Sequence, residues 1–137
     1  MTYIEKCLYE YLENLEKLSN FHLEQKKLMS VHGQSYEKHS ANGISDPVSE
    51  VAFRFFSLEK KILKTEKKIT PVTELYKSLL WSSELHIFQM KEILKLRYFE
   101  KKKAERVIRE MAISRATFWR RCHQLLSRAK KYFYPEY

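Results

Sequence analysis

The chain is 137 residues long, 44% hydrophobic and 14% aromatic, and its formal net charge is +9. This length fits one compact domain or a small domain with an appended helix, and the apolar share can build a core, which excludes a disordered chain. Two glycines and three prolines leave few helix breakers, and no stretch approaches the roughly 18 uninterrupted apolar residues of a membrane span.

Residues 3–29 read as one long helix. Ile4, Leu8, Tyr11, Leu15, Leu18 and His22 alternate in steps of four and three, and Leu12 and Phe21 widen this seam. Such a seam packs either on the chain's own core or on a second copy as a homodimer interface. Residues 30–46, with both glycines and Asn42-Gly43, read as a mobile polar loop. Ser45 or Asp46 then caps a helix over 47–68 with Pro47 in its first turn, where a missing N–H costs nothing. Its apolar stripe is Val48, Val51, Ala52, Phe55, Leu58, Ile62 and Ile69. Thr70-Pro71 repeats the cap-then-proline signal and predicts a new helix over 71–81.

After Ser82 or Ser83, residues 84–99 carry apolar groups at helical spacing. A short helix over 101–112 follows, with Ala104, Val107, Ile108 and Met111 inward, and a last one spans 115–133 ahead of Pro135. The expected fold is therefore all-α, with a helical body over 1–90 and a three-helix unit over 91–137.

The charge is unevenly placed. Residues 1–29 hold four Lys/Arg and five Asp/Glu, residues 30–90 eight and seven, and residues 91–137 fourteen and five. The whole excess lies in the last third, where a local basic field attracts polyanions. Ala112-Ile113-Ser114 reads there as the turn of a helix-turn-helix, with Ser114 as N-cap. The following helix sets Phe118, Cys122, Leu125, Leu126 and Ala129 on one face, and Arg115, Ala116, Trp119, Arg120 and His123 on the other. Arginine grips a guanine edge by two parallel bonds, so Arg115 and Arg120, with Ala116 and Trp119, are the candidate base readers. A core position is the alternative for Trp119. Ser114, Thr117, Arg121, His123, Arg128, Lys130 and Lys131 are candidates for backbone phosphates. Lys101, Lys102 and Lys103 join them. Their ammonium groups oppose the dipole of the helix they begin, a cost that a nearby phosphate backbone explains.

Other chemistry finds no support. His22, His32, His39, His86 and His123 form no ligand set with zinc spacing. Gly33 and Gly43 stand alone, so there is no phosphate loop, and no nucleophile turn is present. Cys7 and Cys122 show no paired spacing and read as reduced thiols of a cytoplasmic protein. The first residues hold no apolar run of signal-peptide length. The expectation is a protein that is not an enzyme and needs no cofactor or metal.

Ile93-Leu94-Lys95-Leu96-Arg97-Tyr98-Phe99-Glu100, followed by Ile113-Ser114-Arg115-Ala116-Thr117-Phe118, resembles region 4 of sigma factors. It is more similar still to the ArpU/RinA-type regulators of late genes in phages of Gram-positive bacteria, whose polar loop and Ser-Asp-Pro-type helix start are matched by Ser45-Asp46-Pro47. The resemblance implies binding to promoter double-stranded DNA in the host cell and control of packaging, structural or lysis genes. It carries the base-reading places onto Arg115, Ala116, Trp119 and Arg120. Trp119 stands where a polar or basic residue is usual, and Arg121 where an apolar one is. Two other functions fit the same composition. One is a helical interaction protein that engages RNA polymerase or a phage assembly partner and holds DNA only non-specifically. The other is a small terminase subunit.

Overall fold

The computed structural model describes the backbone of residues 1–35 and 47–136 and the side chains of residues 1–30 and 49–136. It is all-α, with no strand among the described residues. The elements are α1 (Tyr3–Tyr9), α2 (Tyr11–Ser35), α3 (Pro47–Leu80), α4 (Leu85–Ile93) continued by a π-helical segment (Leu94–Phe99), α5 (Ala104–Met111) and α6 (Arg115–Phe133). No helix among the described residues is long and apolar enough to cross a membrane.

The helices form two compact units, one of Met1–Glu13 with Lys68–Tyr137, the other of Asn14–Lys67. The division differs from the expected boundary after residue 90, because both ends of the chain feed one core. Ile4, Cys7 and Leu8 of α1 enter it with Val72, Leu75 and Leu79 of α3 and Ile87, Met90 and Ile93 of α4. Leu94, Tyr98 and Val107 join them, and α6 adds Phe118, Cys122, Leu125 and Ala129. A stretch of 47 residues is too short to enclose this much apolar surface alone.

The first expected helix is two. Thr2 caps α1, its hydroxyl accepting from the Glu5 N–H at 3.2 Å. The helix closes at Glu10 (φ −93°, ψ 7°). The seam from Ile4 to His22 is divided between the two units. Ile4 and Leu8 are buried in their own unit and closed to a second copy. Tyr11 stacks on Phe99 with centroids 4.9 Å apart and shares a 2.7 Å hydrogen bond with the Thr73 hydroxyl. Leu15, Leu18 and His22 belong to the other unit, and His22 is exposed. Beyond the turn, the buried positions of α2 among the described side chains are Asn14 and Gln25, with Leu18, Phe21 and Leu28 half-buried between and after them.

Two further expectations change. Helix α2 continues through Ser35, so residues 30–35 are helical. Residues 36–46, with the rest of the expected loop and the Ser45 or Asp46 cap, lie outside the described residues. Pro71 does not start a new helix but sits inside α3. It has no N–H for the carbonyl of Lys67, a defect that costs about 3 kcal/mol in a helix interior. Ile69, Val72, Leu75 and Leu79 are all buried around it. Each contributes about 1.5–3 kcal/mol, so tertiary burial outweighs the defect.

Candidate nucleic-acid interface

The turn between α5 and α6 is closed by backbone bonds of one pattern. The Ala112 N–H donates to the Arg109 carbonyl (3.2 Å) and the Ile113 N–H to that of Ile108 (3.3 Å), the paired closure of a Schellman motif. Ala112 takes the left-handed conformation this requires (φ 53°, ψ 44°), a place that suits glycine because a Cβ crowds the next carbonyl. Ala112→Gly is therefore expected to raise unfolding stability by about 0.5–1 kcal/mol, seen as a higher urea midpoint at unchanged slope. A lower midpoint would mean that the turn is not held in this form. Ser114 then caps α6 as expected, its Oγ accepting from the Thr117 N–H at 3.1 Å and bonding the Thr117 hydroxyl at 2.8 Å.

Cap and turn together fix the rotation of α6 on the core. Phe118, Cys122, Leu125 and Ala129 are buried, while Arg115, Ala116, Trp119, Arg120 and His123 are exposed. The candidate readers do not all stand alike. Arg115 pairs with Glu105 of α5 at 2.6 Å, both side chains well exposed. Arg120 makes no hydrogen bond or ion pair among the described residues. Trp119 is neither a core residue nor wholly in water: 42% of it is exposed and its ring meets Phe118 edge-on at 4.9 Å.

What holds Trp119 in this pose is Arg97, a residue that sequence reasoning gave no role. Its guanidinium lies 5.0 Å from the Trp119 ring centroid, 5.5 Å from that of Phe118 and 5.4 Å from that of Tyr98. It donates to the Tyr9 hydroxyl (3.3 Å) and the Cys122 sulfur (3.2 Å). Burial opposes its charge, but the Tyr9 bond and the groups around it raise its pKa above the usual arginine value. Among the described residues it has no carboxylate partner, and the ring faces supply the compensating negative potential. The π-helical segment brings it there. Its wider turns, such as that closed by the Glu100 N–H to the Lys95 carbonyl (2.9 Å), bury Leu94 and Tyr98 while aiming Arg97 beneath α6. Burial raises the Cys122 thiol, Arg97 partly offsetting it; burial also raises Cys7, which Tyr3 partly offsets.

The expected phosphate contacts divide in two. Several are engaged within the protein. Lys101 pairs with Glu13. Lys102 bridges Glu100 (3.3 Å) and Glu110 (3.0 Å), and Arg106 also meets Glu110 (3.1 Å). The two cations beside Glu110 hold its carboxyl below the usual range, Lys102 the more strongly. Arg121 is half-buried and donates to the Gln89 and Gln124 amide oxygens at 2.8 and 2.9 Å. Arg128 donates to the hydroxyl (3.2 Å) and carbonyl (3.4 Å) of Ser78 near the end of α3, where a cation is favoured. Lys103, His123, Lys130 and Lys131 are exposed. His123, Arg128 and Lys131 share a cleft of about 390 Å³ with His86, Met90, Gln124 and Ser127. No carboxylate lines this cleft, although Glu84 reaches the His86 Nε2 at 3.2 Å. Among the described residues no group of three His, Cys, Asp or Glu side chains is placed to hold a metal ion.

Comparisons of the chain with models of known families, with curated proteins and with solved structures found no match.

Proposed function

We propose that the chain is a sequence-specific DNA-binding transcriptional regulator, in which α5, the Ala112 turn and α6 form a helix-turn-helix and α6 enters the major groove. The observation that carries this reading is the division of α6. One side is locked into the core by Phe118, Cys122, Leu125 and Ala129, and the other presents Ala116, Trp119, Arg120 and His123. Arg120 and Trp119 read base edges, with Ala116 small enough to let the backbone approach. Arg115 joins them once it leaves Glu105. Lys103, Lys130, Lys131 and the His123 cleft meet phosphates, which position without specifying. The resemblance, sharpest over residues 93–129, suggests phage or prophage late genes as the regulated genes, and the protein is proposed to act on them in the host cytoplasm as a homodimer.

The test is selection of bound duplexes from a randomised pool at fixed salt. The expected result is enrichment of one motif, as two half-sites related by symmetry. Equal retention of every sequence would overturn the reading. One observation favours a second role: Trp81 is 90% exposed, with Leu85 (68%) and Phe88 (46%) close by in the chain. Exposed aromatic residues of this kind mark protein contacts, which suits engagement of RNA polymerase or a phage assembly partner.

A further inference from the structure

In the unit formed by Asn14–Lys67, α2 and α3 pair as a hairpin. The Gln25 amide donates to the Phe55 carbonyl (3.4 Å) and the Glu59 carboxylate (2.9 Å). Lys61 lies over the Phe21 ring at 5.9 Å. Later residues of α2 thus meet earlier residues of α3, so the two helices are antiparallel. Their shared seam is thin. The buried side chains among the described residues of this unit are Asn14, Gln25, Leu58, Ile62 and Thr65. Three of the five are polar, and two helices share a single line of contact, so most of each surface stays wet.

A second apolar line runs beside that seam. On α2, Leu15, Leu18, His22, Gln25 and Met29 follow one another in steps of three and four. On α3, Ala52, Phe56, Glu59, Leu63 and Glu66 do the same. In an antiparallel pair these two lines fall on the same side, and the Gln25–Glu59 bond links them. Met29 is 61% exposed, Phe56 63%, Leu63 56% and Leu15 37%. The opposite side differs. There Phe53, Leu28 and Leu58 line a cleft of about 460 Å³ whose rim carries Glu24, Lys27, Arg54 and Lys61, four charged groups that an apolar partner face would have to leave in water.

We propose that the first of these faces is completed by the same face of a second copy of this chain, giving a four-helix bundle. A fully exposed large side chain offers about 150–250 Å², so the four exposed groups present on the order of 400 Å² of apolar surface per copy. Two copies of a face that is about 60% apolar then bury roughly 1,300 Å² in total. A stable specific interface needs about 1,200–2,000 Å², and the isologous pairing reaches that range where one copy cannot. The face is mostly self-complementary, apolar against apolar. Its central Glu59 is already hydrogen-bonded by Gln25, the kind of polar pair that fixes register in a helical seam. This inference names the surface for the homodimer included in the functional reading above, and it stands independently of DNA binding.

The experiment is sedimentation equilibrium of the full chain without DNA, over 1–100 μM. The expected mass is twice the 16.6 kDa of one chain. Phe56→Lys with Leu63→Lys is expected to halve that mass at unchanged helical circular dichroism, since both residues are exposed in the single copy. Phe53→Lys, on the other side, is expected to leave the dimer intact. A wild-type monomer at 100 μM, a larger ring, or a dimer lost with Phe53→Lys but kept in the double variant would each overturn the proposal. A dimer that binds every duplex equally would leave the interface standing and remove the regulatory reading. A monomer that still selects one sequence would do the reverse.

Discussion

Arg120→Ala is expected to remove most of the preference for the selected duplex over random duplex, by about 5- to 150-fold, the worth of one bidentate base contact. The size follows from where the guanidinium stands. It projects from the exposed side of α6 with no partner among the described residues, so nothing within the protein compensates its loss and nothing must be broken before it binds. Arg115 differs. Its exposed pair with Glu105 must open first, a step of about 0–1 kcal/mol, so Arg115→Ala is expected to have the smaller effect. Competition anisotropy with cognate and random duplexes at one salt concentration separates the outcomes. Loss of total affinity with preference intact would make the basic surface an electrostatic tether.

Phe118→Ala is expected to destabilise the chain by about 3–5 kcal/mol, the usual result of emptying a fully buried aromatic site. Phe118 is wholly inaccessible, on the core side of α6 with Arg97 over its ring and Trp119 against its edge. Removing it opens a cavity and also withdraws one of the three ring faces that compensate the Arg97 charge. Urea unfolding followed by Trp fluorescence measures the loss. Phe118→Leu, which keeps most of the volume, is expected to cost about 1.5 kcal/mol or less. A loss below about 1 kcal/mol for the alanine variant would show that α6 is not anchored through this residue.

Much of the fold was legible because local signals and burial agreed. Ser114 caps α6 as the spacing predicts, and the bounds of that helix match at both ends. So does its division into a buried and an exposed side. Where local signal and tertiary packing compete, the reading fails. Pro71 is a strong local breaker, yet the apolar residues around it dock on one core and the helix runs through. Glu10 carries no breaker signal, but the turn there allows α1 and α2 to meet different neighbours. Arg97 was missed for another reason. A charged residue between Leu96 and Tyr98 reads as solvated, and only the wider turns of the π-helical segment, which no 3.6-residue periodicity anticipates, bring it under an aromatic ring. The pairing of some expected phosphate contacts within the protein was not legible, since charge counting cannot distinguish a lysine facing solvent from one such as Lys102 that joins two carboxylates.

The threading of the chain has a consequence for its birth on the ribosome. Ile4, Cys7 and Leu8 emerge early, yet the partners that shelter them include Phe118, Cys122 and Leu125, more than a hundred residues behind. The hairpin between them closes from near neighbours and is free to form during translation. The unit that contains α6 cannot assemble until Phe118, Cys122 and Leu125 have themselves emerged. Contacts this distant in sequence slow the search for the native state, so the part proposed to read DNA matures after the hairpin. Removing α1 takes Ile4, Cys7 and Leu8 from the core on which α6 is seated.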